Sequence, residues 1–356
     1  MMAPSITSSI PKGSTVLVTG VNGFVGSHVV DQFLFHGFKV RGTVRDVARH
    51  AWLTKLFEKK HGIGNFELVS VPNMAANGAF DDVVKGVSAV IHTASVLTMN
   101  PDPNKMIPDS VAGAVAALKA AYSEPGVKRF VFTSSSAATA WFEHGQPAMT
   151  ITEDTWNKAA VEAAWADPPY EPQRAPTVYA ASKTQAEQEI WKFHRENRLK
   201  HPKLTVNTVL PSVIFGKSLD RANQGCPSSS ALPVALWEGK VEPPHMVLAP
   251  QYFVNVQDVA RLHVAGATLP EVGDRRIFAF AEHFSWDSIL EIMRRHSPER
   301  KFIENFSGGQ DTAEVTPRAY AEELLRDLGE PGWTSLQDTI LEIVKGQQET
   351  EHGIEC

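Results

Sequence analysis

Cysteine is scarce. The 356-residue chain has two, Cys226 and Cys356, which argues against a disulfide framework and for a reducing compartment, here expected to be the cytoplasm. Positive charge is not in excess: 34 Lys and Arg face 40 Asp and Glu, a net charge of −6, so the basic footprint of a nucleic-acid binder is missing. No apolar run approaches the ~18 residues of a membrane span. The opening "MMAPSITSSIPKGS" has no apolar core like that of a signal peptide and reads as a short disordered lead. There is no G-x-S-x-G elbow and no H-E-x-x-H, so serine hydrolases and zinc proteases lack their motif and no metal is expected. "FGKS" at 215–218 imitates the end of a P-loop, but the upstream glycine it would need falls at Pro211. The expected partner is a small molecule, with no nucleic acid and no membrane; the oligomeric state is left open.

What is present is an ordinary globular composition, 43% hydrophobic and 21% charged, long enough for about two domains. Apolar runs with β character lie at 14–20, 38–44, 66–71, 88–94, 128–135 and 204–211. Helical spacing fills the gaps, at about 24–36, 47–60, 78–86, 110–122 and 176–198. This alternation predicts an α/β fold, a doubly wound parallel sheet of Rossmann type. Runs such as "VLV" and "VIH" are apolar at successive positions, as in strands covered on both faces. Beyond 216 the pattern loosens, and the tail, 282–347, reads as mostly helical. Residues 1–215 are therefore expected to form the dinucleotide-binding unit, with 252–270 returning to it. Residues 216–251 and 271–356 form a smaller, partly interleaved substrate unit. The long connection 141–176, with Trp141, Trp156, Trp165 and five prolines, is a candidate functional loop.

The first strand runs into "TGVNGFVG", which sets Gly20, Gly23 and Gly26 at a strand-to-helix turn. The spacing is G-x-x-G-x-x-G rather than G-x-G-x-x-G, but the physics is shared. One glycine permits the tight turn, one lets backbone N–H groups approach a pyrophosphate, and one brings helix and strand together. The helix N-terminus adds partial positive charge. Asn22, Phe24 and Val25 in the same turn are cofactor candidates. An acidic residue at the end of the second strand would hold an NAD ribose. Here the tip is Arg45, with Arg49 one turn on, and both can grip a 2′-phosphate through charge-assisted forks. NADPH/NADP+ is the expected cofactor; Asp46, beside Arg45, keeps the ribose alternative open. His92 is expected to sit at a strand end near the cofactor without being a ligand.

These segments, with "HTAS" at 92–95, "FTSSS" at 132–136, "YAASK" at 179–183, "LPSVIFG" at 210–216 and "YFVNVQDVARLHV" at 252–264, resemble the extended short-chain dehydrogenase/reductase family in order and spacing. "VRGTVRD" and "GVKRFVFTSS" resemble its dihydroflavonol and cinnamoyl-CoA reductase branch. The whole chain is similar to the fungal NADPH-dependent aldehyde and ketone reductases of that branch. The resemblance implies a catalytic set of Ser135, Tyr179 and Lys183, with Ser134 the alternative serine. It implies that Pro211 lies against the nicotinamide, that Ser212 and Val213 help hold its amide, and that Thr93, Ala94 and Ser95 line the cofactor. Asn73, followed by Met74, stands where many relatives have an adenine-holding Asp. Ser110 replaces an Asn common in the fourth helix.

In the implied chemistry a carbonyl accepts hydride, and Tyr179 supplies the proton as charge develops on oxygen. Lys183, four residues on and on the same helical face, is expected to lower the phenol's pKa. Ser135 orients the carbonyl. Substrate candidates are Val96, Leu97 and Met99, then Trp141 and Phe142, the 216–237 loop and Gln251. Their apolar character suits an aryl or alkyl carbonyl compound, reduced to the alcohol. A dedicated ketoreductase of a fungal secondary-metabolite pathway has the same chemistry. A sugar-nucleotide dehydratase fits less well, because "SSSAATA" has no acidic pair after the serines. A non-catalytic dinucleotide sensor is the remote alternative, and such proteins usually lose the Tyr–Lys pair that this chain keeps.

Overall fold

The computed structural model describes residues 8–141, 149–248, 250–308 and 313–351. The strands are β1 (Thr15–Thr19), β2 (Lys39–Val44), β3 (Phe66–Ser70), β4 (Ala89–His92), β5 (Arg129–Thr133), β6 (Thr150–Ile151), β7 (Thr205–Pro211), β8 (Val213–Phe215), β9 (Gln251–Asn255), β10 (Arg276–Ala279), β11 (Glu282–Phe284) and β12 (Glu314–Val315). The helices are α1 (Phe24–Phe35), α2 (Trp52–His61), α3 (Ile107–Ser123), α4 (Lys158–Ala164), α5 (Ala175–Asn197), α6 (Arg221–Gln224), α7 (Ala231–Trp237), α8 (Pro243–Val247), α9 (Val256–Thr268), α10 (Trp286–His296), α11 (Arg318–Asp327) and α12 (Leu336–Glu351).

Seven parallel strands form the main sheet in the order β10-β7-β5-β4-β1-β2-β3. Successive residues of a strand point to opposite faces, so an apolar run feeds two cores at once. Val16 and Val18 of β1 pack with Val29, Val30 and Phe33 of α1 and with Val259 and Leu262 of α9. Leu17, between them, packs with Leu118 of α3 and Ile190 of α5 on the other face. The strand order reverses between β1 and β4, which opens a crevice at their carboxyl ends, the usual ligand position in such a sheet.

The second sheet holds three strands in the order β11-β9-β8. The chain crosses between sheets twice. At Ser212 it leaves β7, where Pro211 pairs with Ala279, and enters β8, where Val213 pairs with Phe253. After β10 it crosses again into β11. Phe215, Phe253, Phe284 and Trp286 form an aromatic cluster between this sheet and α10, with Phe215 and Phe284 edge to face at 5.0 Å.

Three expectations differ from the structure. Residues 78–86 form consecutive turns, not a helix. Gly78 and Gly86, at φ +72° and +74°, bound the segment, and Phe80 and Val84 are single buried anchors. The segment from 271 contributes β10 to the main sheet, because Arg276–Ala279 registers along β7. Strand β9, inside the segment expected to return to the main unit, belongs to the smaller sheet; only α9 returns, packing on α1.

Candidate functional site

The glycine turn sits at the carboxyl end of β1. Gly20 has φ +69°, and a Cβ there would lie 2.9 Å from Ala94 Cα. A Cβ on Gly26 would lie 2.3 Å from the Gly20 carbonyl oxygen and 2.8 Å from Thr93 Oγ1. Gly23 caps α1 with no side-chain acceptor, and the first turn has no acidic residue. Uncapped N–H groups with no carboxylate nearby form a cradle for an anion, and Asn22, Phe24 and Val25 lie in that turn.

Thr19 ties this turn to β4. Its hydroxyl accepts from the backbone N–H groups of Thr93 and Ala94, each at 3.1 Å, and donates to His92 Nδ1 at 3.0 Å. Thr93 Oγ1 donates to the Thr19 carbonyl. Burial lowers the His92 pKa to about 3, so the ring is neutral; it stacks on Phe132 and meets Phe80 edge to face. Thr93, Ala94 and Ser95 thereby line the switch point opposite the glycines.

At the tip of β2, Arg45 and Arg49 are exposed. Asp46 Oδ1 accepts the Arg49 backbone N–H at 3.1 Å, so the carboxylate stabilises the turn that presents the arginines. His50 completes the group, its pKa lowered by partial burial and then by Arg49. Asn73 Oδ1 accepts the Ala75 N–H at 3.0 Å in a local turn, and Met74 lies against Gly113 of α3. Pro211 and Ser212 are buried at the sheet crossing. Ser212 Oγ donates to the Tyr252 carbonyl at 2.6 Å, and Val213 continues into β8.

Helix α5 starts with proline in its first turn, which presets the backbone one turn before Tyr179. Tyr179, Lys183 and Glu187 then follow at spacings of four on the face toward β5 and β7. Tyr179 is half-buried, with Ser135 as its side-chain neighbour. Burial holds its phenol above the usual pKa, and Ser135 works in the opposite direction. Lys183 is buried, and burial lowers its pKa to about 8 while Glu187 raises it. Its Nζ donates to the Thr133 carbonyl at 3.1 Å. Lys183, expected to lower the Tyr179 pKa, is not among the groups that shift it. The ammonium is spent on a carbonyl, and desolvation of the phenol dominates.

The two serines have separate partners. Ser135 Oγ faces Tyr179 and also accepts the Ala137 N–H at 3.2 Å. Ser134 Oγ donates to buried Glu187 at 2.6 Å.

Among the substrate candidates, Trp141 and Gln251 line a cavity of about 30 Å³ with Ser136, Ala137, Ala140 and Leu248. Trp141 and Tyr179 pack on the same alanines, Ala137, Ala160 and Ala180. Val96 packs beside Tyr179 on the cluster around Ile107 and Val178. Leu97 and Met99 are 59% and 47% exposed, and Met99 has φ +48°, a strained value for this residue type. They edge the crevice rather than line it. Phe142 lies outside the described residues. A larger cavity, about 390 Å³, opens at the opposite end of the strands between His194, Arg198 and Asp274, far from every motif residue.

Two site residues escape sequence reading. Gln224 of α6 donates from Nε2 to the Asn22 carbonyl at 3.3 Å and to Ser27 Oγ at 3.0 Å, laying the 217–225 loop over the glycine turn. Asn157 donates to the Ala137 carbonyl at 2.9 Å and fixes the loop after the serines. Neither has a local sequence signal, because both contacts join segments distant along the chain.

The chain belongs to the NAD dependent epimerase/dehydratase family, whose model matches residues 16–279. It is 38% identical to aldehyde reductase 2 of Sporidiobolus salmonicolor, over 96% of this chain and 98% of that protein. It is 36% identical to the ketoreductase nvfG of Aspergillus novofumigatus, over 94% of this chain and 97% of that one. The crystal structure of Gre2 with NADPH from Candida albicans is similar with a TM-score of 0.78 at 26% identity, covering 94% of this chain and 98% of that one.

Proposed function

We propose that the protein is an NADPH-dependent carbonyl reductase that converts an aldehyde or ketone to the alcohol. The observation that carries this reading is the convergence of Ser135 and Tyr179, with the Lys183 cation one helical turn behind, held on the Thr133 carbonyl. Two relatives bear reductase names, aldehyde reductase 2 and a ketoreductase, and the similar Gre2 structure contains NADPH.

The glycine cradle and the uncapped start of α1 fit a dinucleotide pyrophosphate. Arg45 and Arg49, with no acidic side chain committed to a ribose, fit the 2′-phosphate of NADP. When bound, NADPH supplies the hydride. The chain's own groups then handle the oxygen. Ser135 donates a hydrogen bond that orients the carbonyl. Tyr179, whose raised pKa keeps it protonated at neutral pH, delivers the proton. Lys183 holds positive charge beneath the pair. In this reading the described residues up to Pro211, with α9 and β10, form the cofactor unit, and the smaller sheet of β8, β9 and β11, with α7, α10 and α12, closes the substrate side. Trp141 and, beside Tyr179, Val96 offer apolar surface suited to an aryl or alkyl group, with the Gln251 amide at the Trp141 cavity. Leu97 and Met99 stand at the rim.

A second form of the reading, a ketoreductase dedicated to one substrate of a fungal secondary-metabolite pathway, is favoured by the similarity to the ketoreductase nvfG. Among the described residues no helix is long and apolar enough to cross a membrane, and the low cysteine content suits the cytoplasm as the proposed location.

NADPH absorbance decay against a panel of aryl aldehydes and β-ketoesters tests both forms. Turnover of many members supports the broad reductase and turnover of one bulky ketone supports the dedicated enzyme. Binding without turnover of any carbonyl would favour the sensor.

A further inference from the structure

We propose that Glu187 is a positioning residue for the reduction: its buried carboxylate fixes the serine run beside Tyr179 and supplies the counter-charge that keeps Lys183 cationic. This rests on the carbonyl-reductase reading above. Glu187 has no exposed surface and lies one helical turn beyond Lys183. An ionised carboxylate there is costly unless fully partnered. Its Oε1 accepts from Thr208 Oγ1 at 2.8 Å, Trp191 Nε1 at 3.3 Å and Arg276 Nε at 2.8 Å. Its Oε2 accepts from Ser134 Oγ at 2.6 Å and an Arg276 Nη at 3.2 Å.

A buried ion pair by itself is weak evidence of stabilisation, since a well-packed apolar pair is often as stable. The placement of this one is informative. Ser134 adjoins Ser135. The other Nη of Arg276 binds the carbonyls of Glu153 and Thr155, at 2.7 and 2.8 Å, and the guanidinium lies 3.9 Å over the Trp156 ring. Asn157 follows, and its amide holds Ala137. The carboxylate therefore joins the serine run, the Lys183 helix and the loop that frames the substrate side.

The groups facing Lys183 are few. They are Tyr179 and Glu187 on its own helix, neutral His92 on β4, the Thr133 carbonyl and Phe132 ring on β5, and Arg276 of β10 behind Glu187. Glu187 is the sole carboxylate of that set.

The test uses lysine labelled with ¹³C at Cε in the cofactor-free protein, the Lys183 signal being assigned by its loss in Lys183→Met. In Glu187→Gln the Lys183 titration midpoint is expected to fall by about one pH unit or more, the size of a lost neighbouring charge. The alkaline limb of kcat for NADPH-dependent reduction should move down by the same amount. Glu187→Gln strands the Arg276 charge, so the double variant Glu187→Gln/Arg276→Met is measured beside it. It should regain thermal stability while keeping the lowered midpoint. An unmoved midpoint in either folded variant overturns the proposal, as does a uniform loss of kcat at every pH. Failure of both variants to fold would assign Glu187 to the fold alone and overturn it too. The reductase reading fails separately, by wild-type protein that binds NADPH and reduces no carbonyl of the panel while the Lys183 shift persists.

Discussion

Tyr179 and Arg45 show what single residues contribute at the two ends of the proposed cofactor. Arg45 stands exposed on a turn braced by Asp46. Arg45→Ala should raise KM for NADPH by about 10- to 100-fold, the weight of a charge-assisted hydrogen bond, and leave KM for NADH nearly unchanged. Equal changes for both cofactors would remove the NADP assignment. Lys183 sets a pH limit. Its pKa of about 8 leaves it charged at neutral pH, so kcat should be flat below pH 7 and fall as pH rises through about 8. A rate that holds to pH 10 would show that the ammonium is not needed. At this scale the sequence was informative where chemistry is local: the three glycines stand out by their spacing at a strand-to-helix turn, and Tyr179 and Lys183 by the family resemblance of the motifs around them. The resemblance implies Ser135 with Ser134 as the alternative; what the sequence did not show is that Ser134 meets Glu187 across the fold while Ser135 faces Tyr179.

Elements were legible in proportion to how their burial repeats. Strands such as β1 and β4 are covered on both faces, so Val16, Leu17 and Val18, and Ala89, Val90 and Ile91, are apolar at successive positions and the run stands out. Residues 78–86 misled, because Phe80, Val83 and Val84 imitate helical spacing while the terminal glycines turn the chain. Strand β10 was missed because four residues after a turn carry little periodicity, and their place is set by pairing with β7. The β1–α1 junction allows a graded test. Gly26→Ala meets backbone oxygen at 2.3 Å, whereas Gly23→Ala meets it at 3.3 Å. Gly26→Ala should cost about 1–3 kcal/mol in urea unfolding and weaken NADPH binding, with a smaller stability loss for Gly23→Ala. Equal stability of the two variants would contradict the close approach of α1 to β1.

Across the whole molecule, several histidines are buried neutral. His28, His36 and His263 are lowered to about 4 and His92 to about 3, each chiefly by burial. The unfolded chain takes up these protons near pH 6.5, the folded chain only near 4. Stability is therefore complete above pH 6.5 and declines as pH falls from 6.5 toward 4. All four shifts act in the same direction, so their effects on stability add as pH falls. Urea midpoints should hold constant from pH 8 to 7 and drop steeply below 6, with unfolding before pH 4. A flat profile to pH 4 would mean these rings are already charged in the fold. None of this was readable along the chain, where the thirteen histidines look scattered. It arises because α1 and α9 pack together on one face of the sheet while His92 is enclosed by Phe80 and Phe132 on the other.

The most direct test is NADPH oxidation by Tyr179→Phe, with a carbonyl the wild-type protein reduces, alongside its Kd for NADPH. Loss of the general acid should lower kcat by about 10²- to 10⁴-fold with Kd unchanged. Turnover within a few-fold of wild type would show that the proton comes from elsewhere and that the Ser135–Tyr179–Lys183 assignment is wrong.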